Sequence, residues 1–479
     1  MYDVAVIGCG IVGAVAAFEL SKYNLKIAVL EKNSDIAAAT TKANSGILHA
    51  GYDAPTGSLM ASLNVRGNRL AAELCADLDV PSSRCGSLVL AFSAAETKTL
   101  DNLYKRGISN GVPQMEIINA ARLRTLEPKI SREAVAALRA PTAMIVSPWE
   151  YGLALAETAL RNGAELFLQT QVSAIDRSDD GWHITTNNGD FFAKTIINAA
   201  GVHSDLVHNM AAEPDFKIIP DRGEYYLLDK SEGNTVNHVV FQCPTKLGKG
   251  ILVSPTVHGN LLVGPNNEDP GRPEDTATTR EGLAEIETLA RRSIPDLNLR
   301  ANIRNFSGIR AAADQDDFII REAAPGFIDL AGIKSPGLTA APAIAEMAAQ
   351  ILKDSGLEMI QKADFISRRK RVRFAELSPE EKTELVSLRP DYGRIICRCE
   401  SITEGEILDA LSAPIPPRSV NALKRRCNAG MGRCQGGFCG PRITRLLAEF
   451  YGVSPLEVLQ ENAGSEILAA ELKRAGGAK

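Results

Sequence analysis

The 479 residues predict an α/β fold: a Rossmann-like domain near the N-terminus that carries an inserted α+β domain, and a small helical Cys-rich domain at the C-terminus. Three observations lead to this prediction. A glycine-rich turn follows a short buried strand at residues 4–7. Strand and helix patterns then alternate along most of the chain. Finally, five of the nine cysteines lie between residues 397 and 439.

The first element is a strand–turn–helix–strand unit. The turn has the pattern Gly8-x-Gly10-x-x-Gly13, a helix pattern follows it, and a second strand over residues 26–30 ends at Glu31. In this context the glycines allow a tight turn, approach of a pyrophosphate and close helix packing. Glu31 can accept hydrogen bonds from a ribose diol. The alternative is a glycine-rich turn without a ligand, which the complete unit disfavours.

The middle of the chain alternates between the two element types. Helices are predicted at about 57–78, 94–110, 150–162, 275–292 and 340–354, and strands near 164–176, 181–197, 223–228, 250–264 and 326–331. Two of these strands end in small residues, at 198–201 and 331–332. The second precedes a small-residue helix whose N-terminus could stabilise negative charge on a reduced flavin. These features favour FAD over NAD.

The composition shifts near residue 365, where a basic run over 368–373 begins. We expect a solvated linker over 359–389 and not a nucleic-acid site, because the run is short and has no aromatic residue on which bases could stack. The net charge of −5 gives no overall attraction to nucleic acid either. Beyond the linker, capping patterns at Thr403–Glu406 and Ser454–Glu457 predict two helix starts.

The C-terminal cysteines form the patterns C-x-C and C-x4-C, at Cys397, Cys399, Cys434 and Cys439. Four thiolates on two tight loops can hold a [2Fe–2S] cluster. A structural zinc site also takes four cysteines, but its usual spacing is C-x2-C, which neither pair has. Cys427 is expected to be a spare thiol or a packing residue.

Two segments resemble known families. The segment 40–51 resembles the flavin-facing loop of the D-amino-acid-oxidase superfamily, and over residues 1–355 the chain is most similar to its FAD-dependent glycerol-3-phosphate dehydrogenases and oxidases and their 2-hydroxyglutarate-oxidising relatives. Residues 390–445 resemble the bacterioferritin-associated-ferredoxin-like [2Fe–2S] domain. The resemblance implies a split FAD-binding domain over about 1–75, 140–215 and 300–358, a substrate domain over about 76–139 and 216–299, and a cluster domain over 390–479.

The motifs and the resemblance together indicate the cofactor-binding residues. The residues expected to contact FAD are Gly8, Gly10, Ile11, Val12, Gly13, Glu31, Lys32, Thr40, Thr41, Asn44, Ser45, Gly46, Leu48, His49, Val172, Ala200, Gly201, Gly308, Arg310, Gly337, Leu338 and Thr339.

Oxidation of a secondary alcohol needs a base, and His49 is the first candidate because it lies in the flavin-facing loop. It could instead only pack against the flavin or tether it covalently. His258 is the second candidate. Arg310 is the expected clamp for the anionic end of the substrate, unless it pairs with Asp314 or Asp316. Lys249 is a weaker second cation.

The expected activity is oxidation of sn-glycerol 3-phosphate to dihydroxyacetone phosphate. Electrons would pass from FAD to the cluster and then to a partner subunit or a quinone-linked carrier. The alternatives are a 2-hydroxy-acid dehydrogenase, an amine or imino-acid oxidase, and a module that only relays electrons between proteins. No transmembrane segment is evident, so a cytoplasmic location is expected, with oligomerisation and membrane association through a partner left open.

Overall fold

The computed structural model describes residues 1–244 and 250–470. The chain divides into two compact units. The first consists of residues 1–32 and 36–369, and the second consists of residues 33–35 together with the chain from Lys370 onward. Within the described ranges, no helix is both long enough and apolar enough to cross a membrane.

The strands of the described residues are numbered in chain order. They are β1 Tyr2–Ile7, β2 Ile27–Leu30, β3 Ile47–Leu48, β4 Ser82–Ser83, β5 Ser87–Ala91, β6 Glu116–Asn119, β7 Ala136–Ala140, β8 Met144–Val146, β9 Glu165–Phe167, β10 Val172–Ser178, β11 Gly181–Thr186, β12 Gly189–Asn198, β13 Ile218–Leu228, β14 Val239–Gln242, β15 Leu252–Pro255, β16 Leu261–Gly264, β17 Asn302–Ala313, β18 Ile319–Ala324, β19 Phe327–Ala331, β20 Ile395–Cys397 and β21 Ile402–Thr403.

The α-helices of the same residues follow the same convention. They are α1 Ile11–Leu20, α2 Leu59–Asp77, α3 Ala94–Ser109, α4 Ala120–Leu126, α5 Pro148–Arg161, α6 Ser204–His208, α7 Arg280–Ser293, α8 Gly337–Asp354, α9 Pro379–Leu388, α10 Glu404–Leu411, α11 Val420–Cys427 and α12 Gly440–Tyr451.

The first sheet of unit 1 is the predicted nucleotide-binding sheet. Its parallel strands β9, β2, β1, β12 and β19 lie side by side in that order, and β18 pairs antiparallel with β19. The hairpin β10–β11 continues the sheet beside the first half of β12. Because β1 and β2 are covered on both faces, every residue of β2 and the last four of β1 are buried. Helices α1, α5 and α8 pack together beside this sheet.

The second sheet of unit 1 is mostly antiparallel and has the order β17-β13-β16-β15-β14-β5-β7-β6. Its core is a layer of aliphatic side chains from both segments of the inserted domain, such as Leu88, Ile118 and Val263. One boundary differs from the expectation. Strand β17, which was assigned to the FAD-binding part from residue 300, pairs with β13 along its whole length and therefore belongs to the inserted sheet.

The segment after α8 is not a uniformly solvated linker. Asn162, at the end of α5, donates from its side chain to the Ile366 carbonyl and accepts from the Ile366 N–H. Arg369, within the basic run, is buried and bonds Glu157 at 2.8 Å. The chain is therefore held to unit 1 up to residue 369, and α9 occupies half of the remaining expected linker.

Unit 2 is a small helical domain with an apolar core from α10, α11 and α12, including Ile407, Leu423 and Leu447. The predicted capping box at Thr403 and Glu406 opens α10. The second predicted start, at Ser454, also forms a capping box but continues only as a 3-10 turn over Pro455–Glu457. The helix stops there because Val458 turns into the core and Leu459 pairs with Ser419.

A buried ion cluster lies within unit 2. The Asp35 carboxylate accepts hydrogen bonds of 2.6 to 3.0 Å from the guanidinium groups of Arg425 and Arg426, and all three side chains are at most 7% exposed. Burial alone would raise the pKa of Asp35, but Arg426 and Arg425 outweigh it and lower the pKa from 3.8 to about 2. The carboxylate therefore stabilises unit 2 in its ionised form.

We predict that Asp35→Asn lowers the free energy of unfolding of unit 2 by about 3 kcal/mol, because it leaves the buried Arg426 guanidinium without its counter-charge. Since the folded pKa lies below the unfolded one, the contribution of Asp35 is present above about pH 4 and is lost as the pH falls towards 2. Urea unfolding followed by circular dichroism at pH 7 measures the difference.

The matched control is Glu449→Gln, which breaks an exposed pair with Arg445 and should cost less than about 1 kcal/mol. Equal effects of the two variants would show that the buried cluster does not stabilise the domain.

Candidate functional site

The glycine-rich turn leaves no room for side chains. Gly8 has φ +97°, and a Cβ there would lie 2.5 Å from the Ala199 carbonyl oxygen at the end of β12. A Cβ on Gly13 would lie 1.9 Å from the Gly8 carbonyl oxygen. Both distances are too short for any side chain, so the turn, the first residues of α1 and the Ala199–Ala200 backbone are in direct contact. This close approach fits the backbone cradle that a dinucleotide pyrophosphate requires.

Glu31 and Thr41 complete this cradle. The Glu31 carboxylate is buried and accepts from the Cys9 N–H at 2.8 Å, and the Thr41 hydroxyl accepts from the Ile11 N–H at 2.9 Å. Both side chains therefore lie beside the start of α1. The predicted residue Val12 belongs to the first turn of this helix. The structure thus brings the predicted residues Ile11 and Thr41 together, although they are 30 positions apart in the chain.

A histidine without any sequence signal joins this region. The ring nitrogen Nε2 of His203 lies 2.7 Å from Nζ of Lys32, and His203 follows Ala200 and Gly201 in a 3-10 turn. Burial and the nearby Lys32 charge lower the pKa of His203. Val172 is buried in the core beneath this edge, together with Ile7 and Leu30.

The flavin-facing loop is held by its own side chains. The Asn44 amide donates to the carbonyls of Thr40 and Thr41, at 3.1 and 2.8 Å, and its oxygen accepts from the Gly46 N–H. Gly46 in turn accepts from the Val146 N–H at 2.8 Å. These bonds fix the predicted residues of this loop against β8, so little rearrangement is needed for it to meet a ligand.

His49 meets the start of α8. Its N–H donates to the Thr339 hydroxyl at 2.8 Å, and its carbonyl accepts from Asn64 and Asn68 of α2. The ring nitrogen Nε2 lies 3.5 Å from the Ser335 hydroxyl, and the ring stacks on Phe241 with centroids 5.8 Å apart. The structure thus brings five predicted residues together, namely Leu48, His49, Gly337, Leu338 and Thr339. It adds Ser335 and Phe241 to this group.

The inserted sheet touches the flavin-facing loop at one point. A Cβ on Gly308 of β17 would lie 1.8 Å from the Ala43 carbonyl oxygen. The Thr40 hydroxyl donates to the Ile309 carbonyl at 2.6 Å. Arg310 follows immediately in the same strand, so this contact sets the position of its side chain.

Arg310 does not pair with Asp314 or Asp316. Its Nε contacts the Asp221 carboxylate, which lies directly opposite it in the β13–β17 register, and one terminal nitrogen donates to the Asn266 carbonyl at 3.0 Å. About a quarter of the side chain stays exposed. These bonds anchor the guanidinium, and the fork still has further N–H donors for an anion.

Tyr225 of β13 is not among the residues predicted from the sequence, but it lies against Ser45 of the flavin-facing loop. It is buried, stacks on Phe306 with centroids 4.8 Å apart and hydrogen-bonds Ser45. Burial raises its pKa, so the phenol stays neutral at physiological pH. Neither Tyr225 nor Asp221 could be found from composition, since both follow from the strand register.

Of the other two predicted catalytic residues, one contacts the start of α5 and one lies outside the described ranges. His258 stacks on Trp149 with centroids 5.5 Å apart, and its Nε2 lies 3.7 Å from the buried Glu150 carboxylate. Its contacts are therefore with the start of α5. Lys249 lies outside the described residues.

The four predicted cluster ligands converge in two pairs. Cys397 hydrogen-bonds Cys439, and Cys399 hydrogen-bonds Cys434. Within the described residues, no group of three or more His, Cys, Asp or Glu side chains is gathered around a single point as one metal ion requires. Two separate thiol pairs suit a cluster of two irons, in which each iron takes two thiolates.

Backbone N–H groups surround the sulfurs. Those of Gly430 and Glu400 donate to Cys397, and those of Phe438 and Gly436 donate to Cys434. The bond from Cys439, together with these N–H donors, lowers the pKa of the Cys397 thiol to about 6 despite its burial. The pKa of Cys434 is lowered as well, so one thiol of each pair is favoured as the thiolate, the form that iron binds.

Cys427 is not a ligand. It lies at the end of α11, its S–H donates to the Leu423 carbonyl at 3.4 Å, and it belongs to the apolar core of unit 2. Burial raises its pKa to about 11, which keeps it a neutral thiol. The expectation of a packing residue agrees with this position.

Comparisons with known proteins agree with both sites. The family described as FAD dependent oxidoreductase matches residues 3–351, and the family described as BFD-like [2Fe-2S] binding domain matches residues 395–449. A glycerol 3-phosphate dehydrogenase of Caloramator mitchellensis is 50% identical over 476 residues, which is 99% of either chain.

Two mycoplasma proteins match the part before the cluster domain. A glycerol 3-phosphate oxidase of Mycoplasma genitalium is 34% identical over 361 residues, covering 73% of this chain and 94% of the relative. The solved structure of the dithionite-reduced L-alpha-glycerophosphate oxidase of Mycoplasma pneumoniae with FAD bound has a TM-score of 0.74 and 32% identity, covering 78% of this chain and 99% of that chain.

We predict that Cys434→Ser lowers the iron content of the purified chain by at least half and removes its visible iron–sulfur absorption, because one iron loses a thiolate. Cys427→Ser is the matched control in the same domain and should keep both. Iron analysis and visible spectra after anaerobic purification measure the two variants. Full iron in Cys434→Ser, or loss of iron only in Cys427→Ser, would contradict the ligand assignment.

Proposed function

Because the chain belongs to the FAD dependent oxidoreductase family, we propose that it oxidises sn-glycerol 3-phosphate to dihydroxyacetone phosphate and passes the electrons through its C-terminal cluster to a partner protein or a quinone-linked carrier. The chain is an FAD-dependent oxidoreductase, and its cofactors are FAD and a [2Fe–2S] cluster. The observation that carries the substrate proposal is Arg310, anchored two residues after the contact between Gly308 and the flavin-facing loop.

FAD supplies the acceptor for the hydride that leaves C2 of the substrate. We propose that Gly8, Gly10, Gly13, Glu31 and Thr41 hold its dinucleotide part. In this proposal the positive end of the α1 dipole faces the phosphates, and Glu31 binds the ribose.

The remaining proposed FAD contacts belong to the other end of the cofactor. They are the loop residues Thr40, Asn44, Ser45, Gly46, Leu48 and His49, together with Gly308 and the start of α8 at Gly337–Thr339.

Arg310 binds the phosphate group of the substrate in this proposal. Its Nε and one terminal nitrogen are anchored by Asp221 and Asn266, so the free N–H donors point in a defined direction. Because the anchor is a fork held at two points, the guanidinium loses little conformational entropy when it binds the anion. Tyr225 and Ser45 line the same place with neutral hydroxyl groups.

His49 takes the proton from the C2 hydroxyl group. Its backbone is held by three hydrogen bonds and its ring by Phe241, so Nε2 has little freedom to move. The Ser335 hydroxyl, 3.5 Å from Nε2, can hold the ring orientation. An imidazole with a pKa near 6.5 is suited to accept a proton at neutral pH.

We predict that glycerol 3-phosphate bleaches the flavin absorption of the anaerobic enzyme, whereas 2-hydroxyglutarate, lactate, glycine, sarcosine and proline do not. The phosphate dianion offers more acceptor oxygens to the Arg310 fork than a carboxylate does. Stopped-flow absorbance with each compound measures this. Bleaching by a hydroxy acid alone would identify a 2-hydroxy-acid dehydrogenase, and bleaching by the amines alone would identify an amine oxidase.

Two variants should separate proton transfer from substrate binding. We predict that His49→Asn slows flavin reduction at saturating glycerol 3-phosphate by about 100-fold or more, because the base is lost. Arg310→Lys should instead raise the substrate concentration for half-maximal reduction by about tenfold, because a lysine cannot bind bidentately. Rapid-reaction titrations at pH 7 measure both quantities.

The matched controls are His183→Asn and Arg291→Lys, which change residues that pair with Asp190 and Glu287. They should leave both quantities within about twofold of the wild type. If His49→Asn reduces the flavin at the wild-type rate, His49 is not the base.

A further inference from the structure

We propose that the exposed side of the cluster site docks an acidic one-electron carrier protein. This inference rests on the proposed function, since it assumes that electrons leave through the cluster. It concerns a surface that we name the cluster rim, which consists of Arg398, Cys399, Arg433, Cys434, Phe438 and Arg442.

The two thiol pairs differ in their exposure. Cys397 and Cys439 are both 1% exposed and belong to the apolar core of unit 2. Cys399 is exposed and Cys434 is half-buried. Electron transfer weakens steeply with distance, so a carrier that docks against Cys399 and Cys434 approaches the irons most closely. The cluster therefore has a buried side and an exit side.

A large apolar side chain stands at this exit. Phe438 lies between the ligands Cys434 and Cys439, its N–H donates to Cys434, and its side chain is 81% exposed. It is the most exposed of the large apolar side chains in the described residues. Exposed aromatic residues at the centre of a polar rim are typical of protein interfaces, where they supply buried area on contact.

The charge around the exit is positive. Between residues 410 and 448 the sequence has no Asp or Glu and seven Lys or Arg, although the whole chain has a net charge of −5. The Asp35 carboxylate neutralises part of the positive charge of Arg425 and Arg426. Arg398, Arg433 and Arg442 are exposed, and each lies within four positions of a cluster ligand.

Negative charge partly offsets the positive charge of the rim. Glu400 is the acidic residue beside the rim, within reach of Gly432, and the cluster itself carries negative charge. The positive charge of the three exposed rim arginines still exceeds the negative charge of Glu400. A partner with carboxylates around its own redox centre would therefore be attracted to the rim, and a basic partner would be repelled.

The transfer step is simple. One electron leaves the reduced cluster and lowers the oxidation state of the metal or flavin of the carrier by one, and no bond is made or broken. Because substrate oxidation releases two electrons, the rim must be used twice for each turnover. A small, transient interface suits such repeated docking, since weak electron-transfer contacts bury little area.

The test uses the full-length holoenzyme and two redox proteins of opposite charge. Cadmium-substituted plant plastocyanin is acidic and redox-inactive, and zinc-substituted cytochrome c is basic. We expect plastocyanin to bind at least tenfold more tightly than cytochrome c at low salt, and its binding to weaken as salt is added. Isothermal titration calorimetry measures both affinities without any catalytic turnover.

Three variants locate the site. The double variant Arg433→Glu with Arg442→Glu should weaken plastocyanin binding at least tenfold. Phe438→Ser should also weaken binding by about tenfold, but the salt dependence of binding should change little. Arg280→Glu with Arg300→Glu changes the net charge equally on exposed positions of unit 1 and should leave binding within about twofold. Arg442→Glu alone replaces the double variant if Arg433→Glu lowers the iron content, and it should weaken binding at least threefold.

Equal binding of the two proteins, or equal effects of the rim and control variants, would overturn the proposal. A second measurement, oxidation of dithionite-reduced holoenzyme by native plastocyanin, should follow the same order of variants. Dithionite supplies the electrons here, so the outcome does not depend on the substrate. Failure of glycerol 3-phosphate to bleach the flavin would thus count against the proposed function alone.

Discussion

The contact between Gly308 and the Ala43 carbonyl is the constraint on which the site depends. It joins the inserted sheet to the flavin-facing loop, and a Cβ at position 308 would come within 1.8 Å of the carbonyl oxygen. Only a glycine allows this approach. Since Arg310 is two residues further along β17, its side chain is set by the same contact. A shift of this strand would move the proposed anion clamp relative to the loop that carries His49, whose position depends on α2 and α8.

The two units use the same physical device in different ways. In unit 1, glycines at positions 8 and 13 bring backbone against backbone, as the cradle of a dinucleotide pyrophosphate requires. In unit 2, glycines let the N–H groups of residues 430 and 436 donate to the cysteine sulfurs. The cationic side chains Arg310 and the rim arginines belong to the proposals for the substrate and for the electron carrier.

Much of the fold was predictable because its signals are local. The βαβ unit, the helices α2, α3, α5 and α8, and the capping box of α10 agree with their sequence patterns. The predictions differ from the structure where contacts between residues far apart in the chain determine the local structure. Residues from 300 onward were assigned to the FAD-binding part, since nothing in the residues of β17 reveals that β13 is its neighbour. The helix expected after Ser454 stops after one turn, because burial of Val458 outweighs a good N-cap.

For the site, the sequence by itself indicated the residue types. Spacing within short segments indicated the glycine turn, Glu31 and the four cysteines, and the family resemblance indicated the loop with His49 and Arg310. Only the tertiary structure decided the partners, namely Asp221 for Arg310, Ser45 for Tyr225, Ser335 for His49 and the pairing of the four thiols. A partner across strands or between loops depends on register and packing, and these are properties of the folded chain as a whole.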